Sequence, residues 1–392
     1  MKTIYFDNSA TTPLCVEAKD AMYAATELYG NPSSLHTMGV EAEKAVSDAR
    51  RAVLASIGVR TISKITEKQL IFTASGTEAD NLALIGAATA KKFTEKKKII
   101  ISDSEHPAVM EPAAELERRG FTVVRVPTVG GAPDYDMIAR EADKNTVLAS
   151  FMLVNNETGA VYDIKRISRL IKAANPDALM HTDCVQGYMK LPMTERSLGA
   201  DLITLSAHKI GGPKGVGALY VSADVLKKRQ LAPIIFGGGQ ESGMRSGTEN
   251  VLGVVGFGAA VKAHAGCIAE NAAKCGSIRE RLIAALSDGE RFSGVKLNLP
   301  ETAAAHILSI TLPNIKSETM LHCLSRDGIF ISSGSACSSN TGHGSHVLRA
   351  YGLSDREADC TVRVSLGAQN TPEEADTFLE SFEKALHTLV RI

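Results

Sequence analysis

From about residue 70 the chain alternates short apolar runs with longer stretches whose apolar positions recur three and four apart. LIFT (70–73) predicts a strand and TEADNLALIGAATAKKF (77–93) a helix. KKIIIS (97–102) predicts a strand, PAVMEPAAELERR (107–119) a helix and TVVRV (122–126) another strand. NTVLASFMLV (145–154) is apolar almost throughout, the pattern of a strand buried on both faces. A helix over 163–174 follows, then strands at 178–183, 202–206 and 217–222. This rhythm predicts an α/β fold with a mostly parallel sheet and helices on both sides. Ligands of such sheets bind beyond the carboxyl ends of the strands.

After about residue 250 the texture changes. A helical stretch over 249–288 leads to an apolar strand at 306–313, a helix at 317–326 and a strand at 329–332. TVRVSL (361–366) and a last helix over 372–390 complete a smaller α+β unit. The expected division is a large domain over 15–250, and a small one made of 1–14 and 251–392. A chain of 392 residues with 44% hydrophobic residues can fill cores of this size. Lys plus Arg number 43 against 44 for Asp plus Glu, a net charge of −1. That balance removes any general electrostatic case for direct nucleic-acid or membrane-surface binding. The opening MKTIYFDNSATTP lacks an apolar stretch of signal-peptide length, and no run reaches about 18 apolar residues, so a cytoplasmic location is expected. The seven cysteines (15, 184, 267, 275, 323, 337 and 360) form no C-x-x-C pair, so neither a disulfide framework nor a metal site is expected.

Several polar groups fall where the predicted strands end. ASGTEADN (74–81) places Ser75, Gly76 and Thr77 between a strand and a helix, where backbone N–H groups and hydroxyls suit a phosphate. The same residues also suit a helix start and nothing more. HTDCVQ (181–186) puts Asp183 at a strand end, with Gln186 three residues on. In LSAHKIGGPKG (205–215), Ser206 and His208 share a face if the strand continues, and Lys209 takes the other. A lysine at the end of a buried strand is a candidate Schiff-base amine, although a lysine reaching solvent is the ordinary outcome. VNNETG (154–159) follows the long apolar strand with two adjacent amides, and SEHPAV (104–109) places His106 after another strand. A phosphate cradle, a carboxylate, an amide, a flat ring and an amine together suit pyridoxal 5′-phosphate (PLP).

The motifs also resemble a known family, the cysteine desulfurases of the NifS/IscS type within the class V aminotransferase group. The resemblance runs from YFDNSATTP (5–13) and GNPSSLH (30–36), through EHPAV, VNNETG, HTDCVQ and SAHKIGGPKG, to GGGQESGMRSGTEN (237–250), SGSAC (333–337) and VRVSLG (362–367). It implies the PLP-dependent fold type I, with a mostly parallel seven-stranded sheet in the large domain. It further implies that Lys209 carries the cofactor, Asp183 faces the ring nitrogen, and Gln186 and Asn156 contact the ring hydroxyl side. His106 would stack on the ring and move protons; Gly76, Thr77, Ser206 and His208 would hold the phosphate. Arg363, with Asn156 nearby, would bind the substrate carboxylate. Thr248 would reach the phosphate of the partner subunit, making the working unit a homodimer. Ala74 and Ser75 stand where the family has Ser and Gly, and Cys184 where Ala is usual.

Cys337 lies among small residues, in ISSGSACSSNTGHGSH (331–346). The resemblance makes it the nucleophile that takes sulfur from L-cysteine as a persulfide. Gly334, Gly342 and Gly344 suit a segment that carries sulfur onward to an acceptor protein, such as an iron–sulfur scaffold or a tRNA-thiolation enzyme. A selenocysteine lyase or another class V aminotransferase is the enzymatic alternative. A non-catalytic dimer that docks sulfur acceptors is the alternative of a different class.

Overall fold

The computed structural model describes residues 3–60, 63–93, 97–334 and 344–390. The chain enters through β1 (Ile4–Tyr5), α1 (Val16–Ala24) and α2 (Thr37–Ser56). The α/β rhythm follows: β2 (Leu70–Thr73), α3 (Gly76–Ala88), β3 (Lys98–Ser102), α4 (Pro107–Arg118), β4 (Thr122–Val126), α5 (Tyr135–Glu141), β5 (Thr146–Ser150), α6 (Ile164–Ala174) and β6 (Leu179–Asp183). Next come α7 (Glu195–Leu198), β7 (Leu202–Ser206), β8 (Gly217–Val221) and α8 (Ala223–Lys228). The rest comprises α9 (Val251–His264), α10 (Ile268–Leu286), β9 (Lys296–Asn298), β10 (Ile307–Thr311), α11 (Ser317–Arg326), β11 (Ile329–Phe330), β12 (Ser332–Ser333), α12 (His346–Tyr351), α13 (Asp355–Asp359), β13 (Thr361–Ser365) and α14 (Pro372–Thr388).

Seven strands form the expected sheet, in the order β2-β8-β7-β6-β5-β3-β4. All pairings are parallel except those of β8, which runs antiparallel to β2 and β7. β5 stops at Ser150, earlier than the apolar run suggests. The run nevertheless stays buried, and Phe151 and Leu153 still donate to the carbonyls of His181 and Asp183. A four-stranded antiparallel sheet, β12-β13-β10-β9, builds the second core with α10, α11 and α14. β1 pairs in parallel with β11, which brings the N-terminal segment into that core through Ile4 and Phe6.

The predicted helix over 249–288 is two helices bent by 75° around Ala265–Cys267. The bend has a packing cause. Val254, Phe257 and Val261 of α9 lie in the first core against α1 and α2, whereas Ile278 and Leu282 of α10 lie in the second. The expected domain boundary after residue 250 thus falls at the start of a helix packed on the large sheet. Helices α1 and α2 lie in a stretch that the periodicity reading did not cover. In α2, buried Ala42, Val46, Ala49 and Val53 follow the three- and four-residue spacing. No single helix among the described residues is long and apolar enough to cross a membrane.

Candidate active site

At the carboxyl ends of the central strands, a cleft of about 310 Å3 gathers most of the sequence-predicted residues. Gly76, Thr77, His106, Asn156, Asp183, Gln186, Ser206, His208, Lys209 and Arg363 all line it. Thr248 does not; it is exposed on the segment before α9. Cys337 lies outside the described residues, but Gly334 and His346, on either side of its segment, line the same cleft.

The strand carrying Ser206 does not continue to His208. Residues 207–209 form a tight helical turn, and that turn, not strand alternation, brings His208 and Lys209 to the cleft beside Ser206, the last residue of β7. The N-terminal segment braces the turn. Thr12 donates through its backbone N–H (2.9 Å) and its hydroxyl (2.8 Å) to the His208 carbonyl, and the Thr11 hydroxyl lies 3.2 Å from His208 Nδ1. Lys209 Nζ donates to the carbonyls of Ser9 and of Ala10, the latter at 2.6 Å. Burial, then the nearby lysines, push the His208 imidazole down to about 4.

Ser75 is the N-cap of α3, its hydroxyl accepting from Glu78 N–H at 3.1 Å. That cap leaves the Gly76 and Thr77 amides, which have no intrahelical acceptor, at the cleft wall. Gly217 is required beneath them, because a Cβ there would sit 2.6 Å from the Ser75 carbonyl carbon.

Asp183 ends β6, and its Oδ1 accepts from Val185 N–H at 2.8 Å. Burial pushes its carboxyl up to about 6, opposed by that hydrogen bond and by the charge of Lys209. His106 caps α4, its Nδ1 accepting from Ala108 N–H at 3.1 Å, so a neutral ring carries its proton on Nε2. Burial, then Lys209 and His346, push its pKa down to about 4.

The two amides of VNNETG divide the work. Asn155 Oδ1 accepts from the N–H groups of Glu157 (3.0 Å) and Thr158 (2.9 Å) and holds the turn. Asn156 points its buried Oδ1 at no partner among the described residues. Gln186 is engaged at both ends: Nε2 donates to the Ser9 carbonyl at 2.9 Å, and Oε1 accepts from Lys190 at 3.3 Å.

Arg363 sits in the middle of β13, 3% exposed. One terminal nitrogen donates to the Asn156 carbonyl at 2.8 Å, the other to Asp7 Oδ1 at 2.9 Å, and Nε is unpartnered among the described residues. Asp7 was not singled out in the sequence, although it belongs to the quoted YFDNSATTP. Burial raises its carboxyl pKa even against Arg363.

Glu157 was also missed; its signal was a carboxylate just after a buried apolar run. It is 5% exposed and accepts from the Ser345 hydroxyl at 2.6 Å. Burial pushes it up to about 7, against Ser345 and Arg363. Beneath the cleft, Asp80 and Glu105 are further buried carboxyls, the first raised well above its ordinary range and the second pushed up to about 8, both mainly by burial.

These features fit PLP. Buried Asn156 Oδ1 and Arg363 Nε belong to residues that line one cleft and have no hydrogen-bond partners among the described residues, beside the amides opening α3, a buried carboxylate and a lysine. Among the described residues no cluster could hold a metal ion.

Comparison with known proteins agrees with this geometry. The family model described as "Aminotransferase class-V" matches residues 4–378. A cysteine desulfurase of Trichormus azollae is 38% identical over 395 residues, covering 99% of this chain and 94% of the relative. A solved structure named a NifS-like protein superposes with a TM-score of 0.89 at 35% identity, covering 99% of this chain and 100% of that one. Another, described as SspA in complex with cysteine, has a TM-score of 0.79 and 31% identity, covering 94% of this chain and 100% of its own. The chain therefore belongs to the class V aminotransferase family and, within it, to the cysteine desulfurases, PLP-dependent enzymes of fold type I.

Proposed function

We propose that this protein converts L-cysteine to L-alanine as a cytoplasmic homodimer, holding the abstracted sulfur on Cys337 for an acceptor protein. The observation that carries this reading is the shared cleft: Lys209, Asp183 and Arg363 line it together with Gly334 and His346, which flank the Cys337 segment. Bound PLP supplies an aldehyde that condenses with amines and a ring that absorbs the charge left when an α-proton departs.

The chain's own residues do the rest. Lys209 Nζ is the amine that holds the cofactor and then moves the α-proton. Asp183 Oδ atoms keep a negative charge at the ring-nitrogen end of the cleft. The amides of Gly76 and Thr77, with Ser206 and His208, would hold the cofactor's phosphate at the start of α3, where the helix dipole favours an anion. His106 stays neutral at physiological pH and presents Nε2–H; its role is to stack and donate. Arg363 orients the substrate carboxylate through its guanidinium fork, with Asn156 beside it. The Cys337 thiolate attacks the substrate sulfur, an S–S bond forms as the substrate Cβ–S bond breaks, and the carbon fragment gains protons to leave as alanine.

Two further observations support the dimer. The segment bearing Thr248 is tied to its own subunit by Arg50–Glu241 (2.7 Å) and Arg245–Glu78 (2.8 Å), yet Thr248 does not line that subunit's Lys209 cleft. Large apolar side chains stand exposed, among them Leu35 just ahead of α2 at 98% and Phe236 before the Thr248 segment at 81%. The six described cysteines are free thiols, which suits a reducing compartment.

Cys337→Ala tests the reading. The variant should bind PLP and still change its visible spectrum with L-cysteine, while releasing almost no alanine and carrying no persulfide. Wild-type alanine yield from this variant would refute the role of Cys337.

A further inference from the structure

Behind the turn that carries Lys209 lies a second cavity, of about 390 Å3. Lys209 lines both spaces, so the two share a wall. The back cavity is bounded by the segment 12–16, by α10 and by the turns at 305–306 and 366–369. Leu14, Ile210, Ala272 and Leu366 give it an aliphatic lining.

Polar side chains also line it, His264, Asn271 and Gln369 among them, and two more bear on what it could hold. Lys190 reaches it with one neutral acceptor, Gln186 Oε1, at 3.3 Å. No carboxylate contributes to its electrostatics; the charges that act on it are Lys209, Cys275 and Arg363. Desolvation, then Lys209, push its ammonium down to about 7, which is the expected response of a cation removed from water without a counter-ion. His306 is 4% exposed. Its Nε2 has no hydrogen-bond partner among the described residues. Burial, then Lys190, hold the ring neutral, against the Gln186 backbone carbonyl. A cation lacking an anion in aliphatic surroundings is costly. Lys190 opens on this space, whereas His306 lines it with Nε2 turned away from any accessible surface.

We propose that this cavity is a second ligand site, for a small aliphatic carboxylate, with the carboxylate on Lys190. The site is wired to the cofactor cleft. Gln186, which accepts from Lys190, donates to the Ser9 carbonyl, and that same carbonyl accepts from Lys209 Nζ. A carboxylate that draws Lys190 away frees Gln186 Oε1 at the cofactor cleft. This coupling, unlike the binding, rests on the proposed role of Lys209.

The test titrates the holoenzyme with 2-hydroxy-4-methylpentanoate by calorimetry while recording the visible band of the bound cofactor. This probe has the carboxylate and an aliphatic body, and it has no amine to react with the cofactor. One molecule should bind per chain. Lys190→Met, close in volume, should weaken binding at least about tenfold, or about 1.4 kcal/mol. Ala272→Phe, which fills the space without touching Lys190, should abolish it and decides the matter if the first variant fails to fold. Arg363→Lys should leave it unchanged. The site is overturned by equal binding of the corresponding carboxamide, by equal binding to Lys190→Met, by loss of binding in Arg363→Lys, which would assign the heat to the substrate cleft, or by no heat at all. Binding with a silent cofactor band overturns the coupling.

Discussion

The two sheets supply the cleft in different ways. In the seven-stranded sheet the polar groups stand where strands stop: Asp183 closes β6, Ser206 closes β7, and His208 and Lys209 follow in a turn. In the four-stranded sheet, Arg363 occupies the middle of β13, opposite Ser309 of β10 on one side and Ser332 of β12 on the other. The contrast follows from what covers each face. Helices cover both faces of the parallel sheet, so its strand interiors are apolar and chemistry is confined to the ends. The antiparallel sheet turns one face to its own core, through Val362 and Val364 of β13 and Leu308 and Ile310 of β10. The alternate residues of β13, Thr361, Arg363 and Ser365, take the other face. A guanidinium fixed in mid-strand is held at several points, whereas a lysine after a strand end keeps its freedom to move between partners.

That difference can be broken experimentally. The largest effect is expected at the strand end. Lys209→Ala should lower alanine formation from L-cysteine by several orders of magnitude, as removal of a covalent catalytic group does. Near wild-type turnover would place the cofactor amine elsewhere.

Glu157 bridges the two regions, since it follows β5 and accepts from Ser345 ahead of α12. Its carboxyl ionises near 4.5 in the unfolded chain and near 7 in the folded protein. It therefore costs no stability below the lower value, and the cost grows as pH rises between the two and is complete above the higher. Glu157→Gln, which can keep the Ser345 hydrogen bond, should gain stability relative to wild type across that window, by an amount of the order of 3 kcal/mol at its upper end. Chemical denaturation at pH 5 and pH 8 checks this; the same difference at both would show that Glu157 is not held protonated.

The mid-strand claim is sharpened by Arg363→Lys, which keeps the charge and loses the fork. KM for L-cysteine should rise roughly a hundredfold, about 2.7 kcal/mol, with cofactor binding intact. An unchanged KM would remove Arg363 from substrate binding. The smallest effect belongs to Thr248. Thr248→Ala should weaken PLP retention by about tenfold, roughly 1.4 kcal/mol, while the dimer persists in sizing chromatography. A wild-type monomer that holds PLP tightly would end that assignment.

Local pattern was sufficient for the strands of the large sheet and for α3, α4, α6, α11 and α14, because a period of two or of 3.6 is written in neighbouring residues; the short α5, α7, α8, β9, α12 and α13 carry too few periods to be read that way. It was sufficient also for Asp183, His106 and Lys209, whose places after apolar runs mark them as strand-end groups. The cap of α3 shows the limit even at short range: Ser75, not Thr77, accepts the helix hydrogen bond, which leaves the Thr77 amide at the cleft.

What only the tertiary structure decided lies between residues far apart in the chain. Asp7 meets Arg363 across 356 residues, and Glu157 meets Ser345 across 188. The 75° bend between α9 and α10 sends one helix to each core, where periodicity alone reads a single helical stretch. Lys190 and α10, far apart in the chain, line one cavity only because the N-terminal segment packs against both. Burial sets the ionisation of Glu157, His106 and Lys190, and burial is a property of the whole packed chain that no local spacing encodes.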